Sequence, residues 1–115
     1  MKAADDVLEL IGFTPKVKLN KTTKDLKATV LAKLEFLNPS GSIKDRIAKH
    51  MIESAEKKGI LKPDSVIAVA TTDNTGIALA MAAAIKKIQT DRSHAQGNDL
   101  GKEKDDVSLR CWKPR

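Results

Sequence analysis

Two short segments of the chain combine small polar residues with the start of a helical pattern. Residues 38–46 (NPSGSIKDR) form a loop that leads into a helix and places Lys44 in its first turn. Ser42 is a suitable N-cap, and Asp45 has the position of the acidic partner in a capping box. Because exposed N–H groups and the positive helix end lie beside Lys44, we expect its amine to be available as a nucleophile. An ordinary capped helix with a solvated lysine explains the same residues.

The second segment, residues 71–76 (TTDNTG), follows the first by roughly thirty residues, the spacing of one βαβ step. Its hydroxyl and amide side chains would stand beside a helix N-terminus, a place that binds small anions; they belong to Thr71, Thr72, Asn74 and Thr75. A nucleophilic lysine facing such an anion site suits chemistry on an amino acid held through its carboxylate. Two ordinary helix caps remain the alternative, because Ser, Thr, Asn and Asp are the usual cap residues.

Hydrophobic periodicity predicts the elements that position these segments. An alternating run at residues 28–36 predicts a strand, and a continuous apolar run at residues 65–70 predicts a strand buried on both faces. Helices are predicted at residues 43–58 and at residues 75–87, the second apolar almost all round and therefore buried. The apolar stripe of the first helix is predicted to contain Ile43, Ile47, Met51 and Ala55, and Ala48 and Ile52 widen it. This βαβα order predicts an α/β fold with parallel strands, a right-handed crossover and both loops at one sheet edge.

Shorter elements flank this core. Residues 4–11 predict a short helix, residues 17–19 predict a short edge strand, and Gly59 is a natural C-cap of the first long helix. Residues 89–115 have no hydrophobic period and mix six Lys or Arg with five Asp or Glu. We therefore predict a single domain at residues 1–88, followed by a disordered polar tail at residues 89–115.

Composition excludes several classes of protein. With 41% hydrophobic and 31% charged residues among 115, the chain has a globular composition, and its net charge of +6 is scattered without an aromatic platform for nucleic acid. The single cysteine, Cys111, excludes an intrachain disulfide framework and predicts a cytoplasmic protein. His50 and His94 lack a second ligand at metal spacing. No apolar signal core begins the chain, and residues 77–85 are too short an apolar run to span a bilayer.

Four pieces of the sequence resemble the cysteine synthase and cystathionine β-synthase family, pyridoxal-phosphate enzymes of fold type II. The pieces are residues 11–15 (IGFTP), 31–39 (LAKLEFLNP), 41–46 (GSIKDR) and 74–80 (NTGIALA). They follow one another in the family's order and spacing, and are closer to cysteine synthase than to the threonine-deaminating relatives. The resemblance implies part of a fold-type-II domain. It also implies a β-replacement reaction that forms L-cysteine from an activated serine and sulfide, with pyridoxal phosphate as cofactor.

The resemblance also implies roles for individual residues. By position, Lys44 matches the lysine that forms the internal Schiff base with the cofactor and then moves a proton at the substrate's α-carbon. Asn74 matches the residue that hydrogen-bonds the ring oxygen of the cofactor. The loop that holds the substrate carboxylate is matched by Thr71, Thr72, Asn74 and Thr75.

Several positions depart from the family pattern. The family has glycine where this chain has Asp73, a carboxylate that would repel a substrate carboxylate. Val69 and Ala70 replace the family's Glu-Pro, and Phe13 replaces an Asn or Arg. The family's glycine-rich phosphate loop and the serine facing the pyridine nitrogen lie further along than any residue present here. We therefore expect a truncated chain that is inactive alone.

Two alternatives to an enzyme follow from these departures. The first is a non-catalytic remnant that dimerises with itself or with a full-length relative, or binds a partner peptide such as the C-terminal tail of serine acetyltransferase. The second is a degenerate gene product without a stable fold or function, because an exposed and incomplete parallel sheet is a poor independent domain.

Overall fold

Two helices and two small sheets make up the fold, which a computed structural model describes for residues 3–62, 64–69, 73–91 and 110–112. The helices are α1 (Lys44–Lys57) and α2 (Asn74–Ile85). The strands are β1 (Lys16–Lys18), β2 (Leu31–Lys33), β3 (Val66–Ala68), β4 (Gln89–Asp91) and β5 (Arg110–Trp112). Single 3₁₀ turns form at Val7–Leu10, where a short helix was predicted, and at Glu35–Leu37. Neither α1 nor α2 is long and apolar enough to cross a bilayer.

The strands pair differently from the prediction. β1 pairs antiparallel with β2, which places Val17 opposite Ala32. The other sheet has β3 in its centre, parallel to β4 and antiparallel to β5. The predicted parallel pairing of residues 28–36 with residues 65–70 is therefore wrong. The parallel pair is β3 and β4, and α2 is the connection between them.

The burial of the strands explains this difference. Val66 and Ile67 are both buried, so β3 has the two covered faces that a central parallel strand needs, as predicted. In β2, Leu31 and Lys33 are exposed and Ala32 is half-buried, which suits a surface ribbon. The predicted strand at residues 28–36 is also shorter than expected, because the chain turns at Glu35.

The core lies between the two helices and β3. It is built from small and aliphatic side chains: Leu8, Ile11, Ala48, Ile52, Ala55, Leu61, Ile67, Val69, Ala78, Leu79, Ala82 and Ala83. The predicted apolar stripe of α1 is confirmed at Ala48, Ile52 and Ala55, which are buried, and is wrong at Ile43 and Ile47, which are 49% and 43% exposed. The prediction that α2 is buried all round is wrong at Ile77, which is 48% exposed.

Both helices end in the same way. After α1, Gly59 has a φ of +66°, and Gly59 and Ile60 donate to the carbonyls of Glu56 and Ala55, as a Schellman motif requires. Gly59 is thus confirmed as the residue that stops α1. After α2, the same left-handed position is held by Lys87, with a φ of +57°.

Two strands lie inside residues 89–115, the segment predicted to be a disordered tail. β4 pairs Thr90 with Ile67, and β5 pairs Cys111 with the same residue from the other side. The structure therefore differs from the prediction at these six residues, because a buried strand such as β3 provides hydrogen-bonding edges to polar neighbours. The prediction for residues 92–109 and 113–115 lies outside the described residues.

Candidate functional site

Lys44 is the first residue of α1. The Ser42 hydroxyl accepts a hydrogen bond from the Lys44 N–H at 3.1 Å, which is the contact expected of an N-cap, although the regular helix is counted from Lys44. Asp45 does not form the predicted capping box. Its fully buried carboxylate accepts from the N–H of Ser40 at 2.7 Å and from the Ser40 hydroxyl, so it stabilises the loop before the helix.

The Lys44 side chain is half-buried, and its amine has no hydrogen bond or ion pair with any residue that the structure describes. Its neighbours differ in this respect. Asp45 is bonded to Ser40, and Arg46 is bonded to Glu35. Lys49, one turn further along α1, donates to the carbonyl of Leu8 at 2.9 Å. Within the described part of the chain, the amine of Lys44 is thus without a partner, while the residues beside it are hydrogen-bonded.

The second predicted segment is described only in part. Asn74 is exposed on the first turn of α2 and Thr75 is half-buried, whereas Thr71 and Thr72 lie outside the described residues. Asp73 caps the helix, because its Oδ1 accepts from the Asn74 N–H at 2.7 Å. No hydrogen bond or ion pair joins Lys44 to Asn74 or Thr75 in the described part of the chain. That these residues form one site stays a prediction.

A hydrogen-bonded cluster, here called the Glu35 clasp, joins three segments of the chain next to Lys44. Its members are Gly12, Thr14, Glu35, Asn38 and Arg46. Glu35 accepts from Arg46 through Nε at 2.8 Å and through Nη2 at 3.0 Å, from Asn38 at 2.9 Å and from Thr14 at 3.1 Å. The peptide of Gly12 is held on both sides, since its N–H donates to Asn38 Oδ1 and its carbonyl accepts from Arg46 Nη2, each at 2.9 Å.

The electrostatics of the Glu35 clasp favour the charged pair. Hydrogen bonds from Arg46 above all, and then from Asn38 and Thr14, lower the pKa of Glu35 from 4.5 to about 2, although partial desolvation opposes the shift. The hydrogen bond to Glu35 in turn raises the pKa of Arg46. Both side chains therefore stay ionised at neutral pH.

The sequence offered little to identify the clasp. Glu35 and Arg46 lie in the motif pieces 31–39 and 41–46, but their opposite charges are eleven positions apart, which is not a helical pair spacing. Two features of the sequence indicate the clasp: Glu35 is an acid that interrupts an apolar run, and Gly12 lies at a turn. Gly12 has a φ of +97°, and a Cβ there would come within 2.8 Å of Arg46 Nη1.

Comparison with known proteins identifies the class. A family model described as pyridoxal-phosphate dependent enzyme matches residues 7–91. The chain belongs to this family of pyridoxal-phosphate-dependent enzymes. Among the described residues, no group of three or more His, Cys, Asp or Glu side chains could hold a metal ion.

Individual relatives define the branch of the family. The cystathionine β-synthase of Apis mellifera is 54% identical over 87 residues, which cover 74% of this chain and 17% of that protein. A probable cysteine synthase of Bacillus subtilis is 52% identical over 86 residues, 75% of this chain and 28% of that protein. The chain therefore spans well under a third of the length of these relatives.

Solved structures agree with the fold. O-acetylserine sulfhydrylase isoform 3 of Entamoeba histolytica superimposes with a TM-score of 0.73 at 40% identity, over 77% of this chain and 28% of that one. A hydrogen sulfide-producing enzyme of Fusobacterium nucleatum gives a TM-score of 0.71 at 47% identity, over 78% of this chain and 30% of that one. The predicted resemblance to fold-type-II pyridoxal-phosphate enzymes of the β-replacement branch is thereby confirmed.

The donor groups that the structure describes suit the family's cofactor. The Lys44 amine is the kind of group that bonds an aldehyde, and the exposed amide of Asn74 can donate to a ring oxygen. Asp73 does not suit an anionic ligand at the same helix end, because its carboxylate already accepts the first N–H of α2.

Proposed function

We propose that this chain acts in a pyridoxal-phosphate-dependent β-replacement, in which sulfide replaces the leaving group of an activated serine to give L-cysteine. Its compartment is the cytoplasm, as the single cysteine predicts. One observation supports the proposal most: Lys44 begins α1 half-buried, with an amine that has no partner among the described residues. A lysine without a structural role for its amine is available for covalent chemistry.

The residues of the proposed site bind the cofactor, hold the substrate and move a proton. Lys44 holds the cofactor covalently and afterwards moves the proton at the α-carbon of the substrate. Asn74 donates to the ring oxygen of the cofactor, and with Thr71, Thr72 and Thr75 it holds the carboxylate of the small amino-acid substrate. When bound, pyridoxal phosphate supplies an electron sink for the substrate's α-carbon.

Absorbance and mass spectrometry test this proposal directly. The chain is incubated with pyridoxal phosphate, the visible absorbance is recorded, and borohydride reduction fixes the adduct for peptide mapping. We expect a visible band and an adduct at Lys44 in the wild type and in Lys57→Ala, which removes an exposed lysine from the last turn of α1. Lys44→Ala should lose both. Equal spectra and equal labelling of Lys44→Ala and Lys57→Ala would contradict the proposal.

A second candidate function is association with another chain of the family. Three isoleucines are each more than 40% exposed, although an α/β protein normally covers such side chains: Ile43 just before α1, Ile47 on α1 and Ile77 on α2. A second copy, a full-length relative or the C-terminal tail of serine acetyltransferase could cover them.

Sedimentation separates these possibilities. We expect the wild type to associate with itself or with added full-length cysteine synthase, and Ile47→Lys to associate more weakly, while Lys57→Ala behaves as the wild type. A monomer in every mixture would exclude this candidate. A cooperative thermal transition of the chain alone would exclude a degenerate product without a stable fold.

A further inference from the structure

One oxygen atom binds both ends of residues 38–46, the segment that contains Lys44. Asn38 at its beginning and Arg46 at its end both donate to Oε2 of Glu35, at 2.9 and 2.8 Å. Inside this closure, the buried carboxylate of Asp45 accepts from the N–H and the hydroxyl of Ser40. The backbone on both sides of Lys44 is therefore fixed, while no residue that the structure describes holds its amine.

The same closure ties the loop to a distant part of the chain. Asn38 accepts from the Gly12 N–H, and Arg46 donates to the Gly12 carbonyl and to the Thr14 hydroxyl, at 2.9, 2.9 and 3.2 Å. The first turn of α1 thus has a fixed position relative to the residues before β1. Neither Glu35 nor Arg46 forms a hydrogen bond with the Lys44 side chain, so any effect on Lys44 passes through the backbone.

We propose that Glu35 and Arg46 are positioning residues for Lys44: they hold the first turn of α1 in the geometry in which the Lys44 amine reacts with an aldehyde. The inference rests on the proposed function, in which Lys44 bonds the cofactor. A guanidinium that bonds both oxygens of a carboxylate fixes orientation as well as distance. A pair that only stabilised the fold would instead change the reactivity of all lysines of the folded chain alike.

The test compares two lysines of the same helix in the same molecule. The full chain is incubated with pyridoxal phosphate and reduced with borohydride, and the ratio of adduct at Lys44 to adduct at Lys57 is measured by peptide mapping. In the adduct the amine nitrogen forms a double bond to the aldehyde carbon as water leaves, and borohydride then adds hydride to that carbon while solvent supplies a proton to the nitrogen. Because Lys57 is exposed and lies at the far end of α1, it reports general reactivity.

Three variants make the comparison specific. Glu35→Gln removes the charge that binds Arg46, and Arg46→Lys keeps the positive charge without the two-pronged geometry. Glu56→Gln is the matched control, because it breaks the 3.0 Å ion pair between Glu56, near the end of α1, and Lys86, which follows α2. A misplacement of about 1 Å costs up to a hundredfold in rate. We therefore expect the ratio of Lys44 adduct to Lys57 adduct to fall about tenfold or more in Glu35→Gln. The ratio should fall by a smaller factor in Arg46→Lys and should not fall in Glu56→Gln.

Hydrogen exchange gives a readout without the cofactor. The amide of Lys44, which donates to Ser42, should exchange faster in Glu35→Gln and Arg46→Lys than in Glu56→Gln, at a temperature where all are folded. An unchanged Lys44 ratio or unchanged exchange in the folded clasp variants would overturn the positioning role alone. A wild type that labels Lys44 no faster than Lys57 would overturn the proposed function, and the positioning role with it.

Discussion

Arg46 donates to both carboxylate oxygens of Glu35, from Nε to Oε2 at 2.8 Å and from Nη2 to Oε1 at 3.0 Å. The pair joins the first turn of α1 to the turn that follows β2. Both side chains are partly exposed, at 36% and 21%, so the geometry of the pair matters more than the strength of its charge attraction.

Acid should weaken the fold through Glu35. Its pKa is about 2 in the folded chain and near 4.5 when unfolded, so between these values the unfolded chain binds the proton first. The stabilisation is complete above pH 4.5 and is lost as the pH falls towards 2. Urea unfolding across this range should show a steeper fall in the free energy of unfolding for the wild type and Glu56→Gln than for Glu35→Gln. Equal slopes for the wild type and Glu35→Gln would contradict the lowered pKa of Glu35.

Two glycine substitutions separate backbone strain from collision. Gly41→Ala should cost about 1–2 kcal/mol, because its φ of +87° disfavours a side chain, but apart from its chain neighbours no described residue lies within 4 Å of the new Cβ. Gly12→Ala should cost more, since its φ is also positive and the new Cβ meets Arg46. Thermal unfolding of both variants checks the order. Equal losses would show that Arg46 moves aside freely.

The buried face of α1 can be checked with two isoleucines. Ile52 is 1% exposed and belongs to the core, so Ile52→Ala should lower the free energy of unfolding by about 2–5 kcal/mol. Ile47 is 43% exposed, so Ile47→Ala should cost less than about 1 kcal/mol. Urea denaturation measures both. The reverse order would mean that the side of the predicted stripe with Ile43 and Ile47, and not the side with Ala48 and Ile52, is the buried one.

The residue that ends α2 offers a stabilising change. Lys87 has a φ of +57°, a conformation that glycine adopts without strain, so Lys87→Gly should raise the free energy of unfolding by about 0.5–1 kcal/mol. Lys86, with a φ of −79°, is the control, and Lys86→Gly should lower it, because glycine is disfavoured there and the ion pair with Glu56 is lost as well. Both changes remove one lysine, so a common direction would indicate a charge effect instead.

Asp73 should limit the binding of substrate if residues 71–75 hold its carboxylate. Asp73→Asn keeps a good N-cap residue and removes the repelling charge, so stability should change little. Repulsion of about 1 kcal/mol at 4 Å corresponds to about fivefold in affinity. We therefore expect O-acetyl-L-serine to bind the cofactor-loaded variant at least about fivefold more tightly, measured by absorbance titration. Asp64→Asn, at another exposed acid, should have no effect, and an equal gain there would refute the prediction.

The parts of the fold that the sequence predicted correctly are those governed by local forces. β3 followed from an apolar run in which Val66 and Ile67 are both buried, and the end of α1 followed from Gly59. The residue types at these positions suffice to favour a buried strand and a left-handed turn. Lys44 at the start of α1 was predicted for the same reason, because Ser42 caps the helix locally.

Predictions failed where distant contacts decide the outcome. α1 has two overlapping apolar faces, one with Ile43 and Ile47 and one with Ala48 and Ile52, and only packing against α2 selects the second. The strand pairing could not be predicted either, since β4 is a polar segment that pairs because it follows α2 next to β3. The pair of Glu35 and Arg46 could not be predicted for the same reason, because the two residues meet only after the chain has folded back.

The hairpin of β1 and β2 has a consequence for how the protein behaves at high concentration. Each strand has one edge without a partner in the described part of the chain, and such edges can add strands from other molecules. Lys16 and Lys18 put positive charge on β1, which opposes growth at its edge. Because salt screens these charges, a concentrated salt solution removes the protection against fibre-like stacking that the lysines provide in dilute buffer.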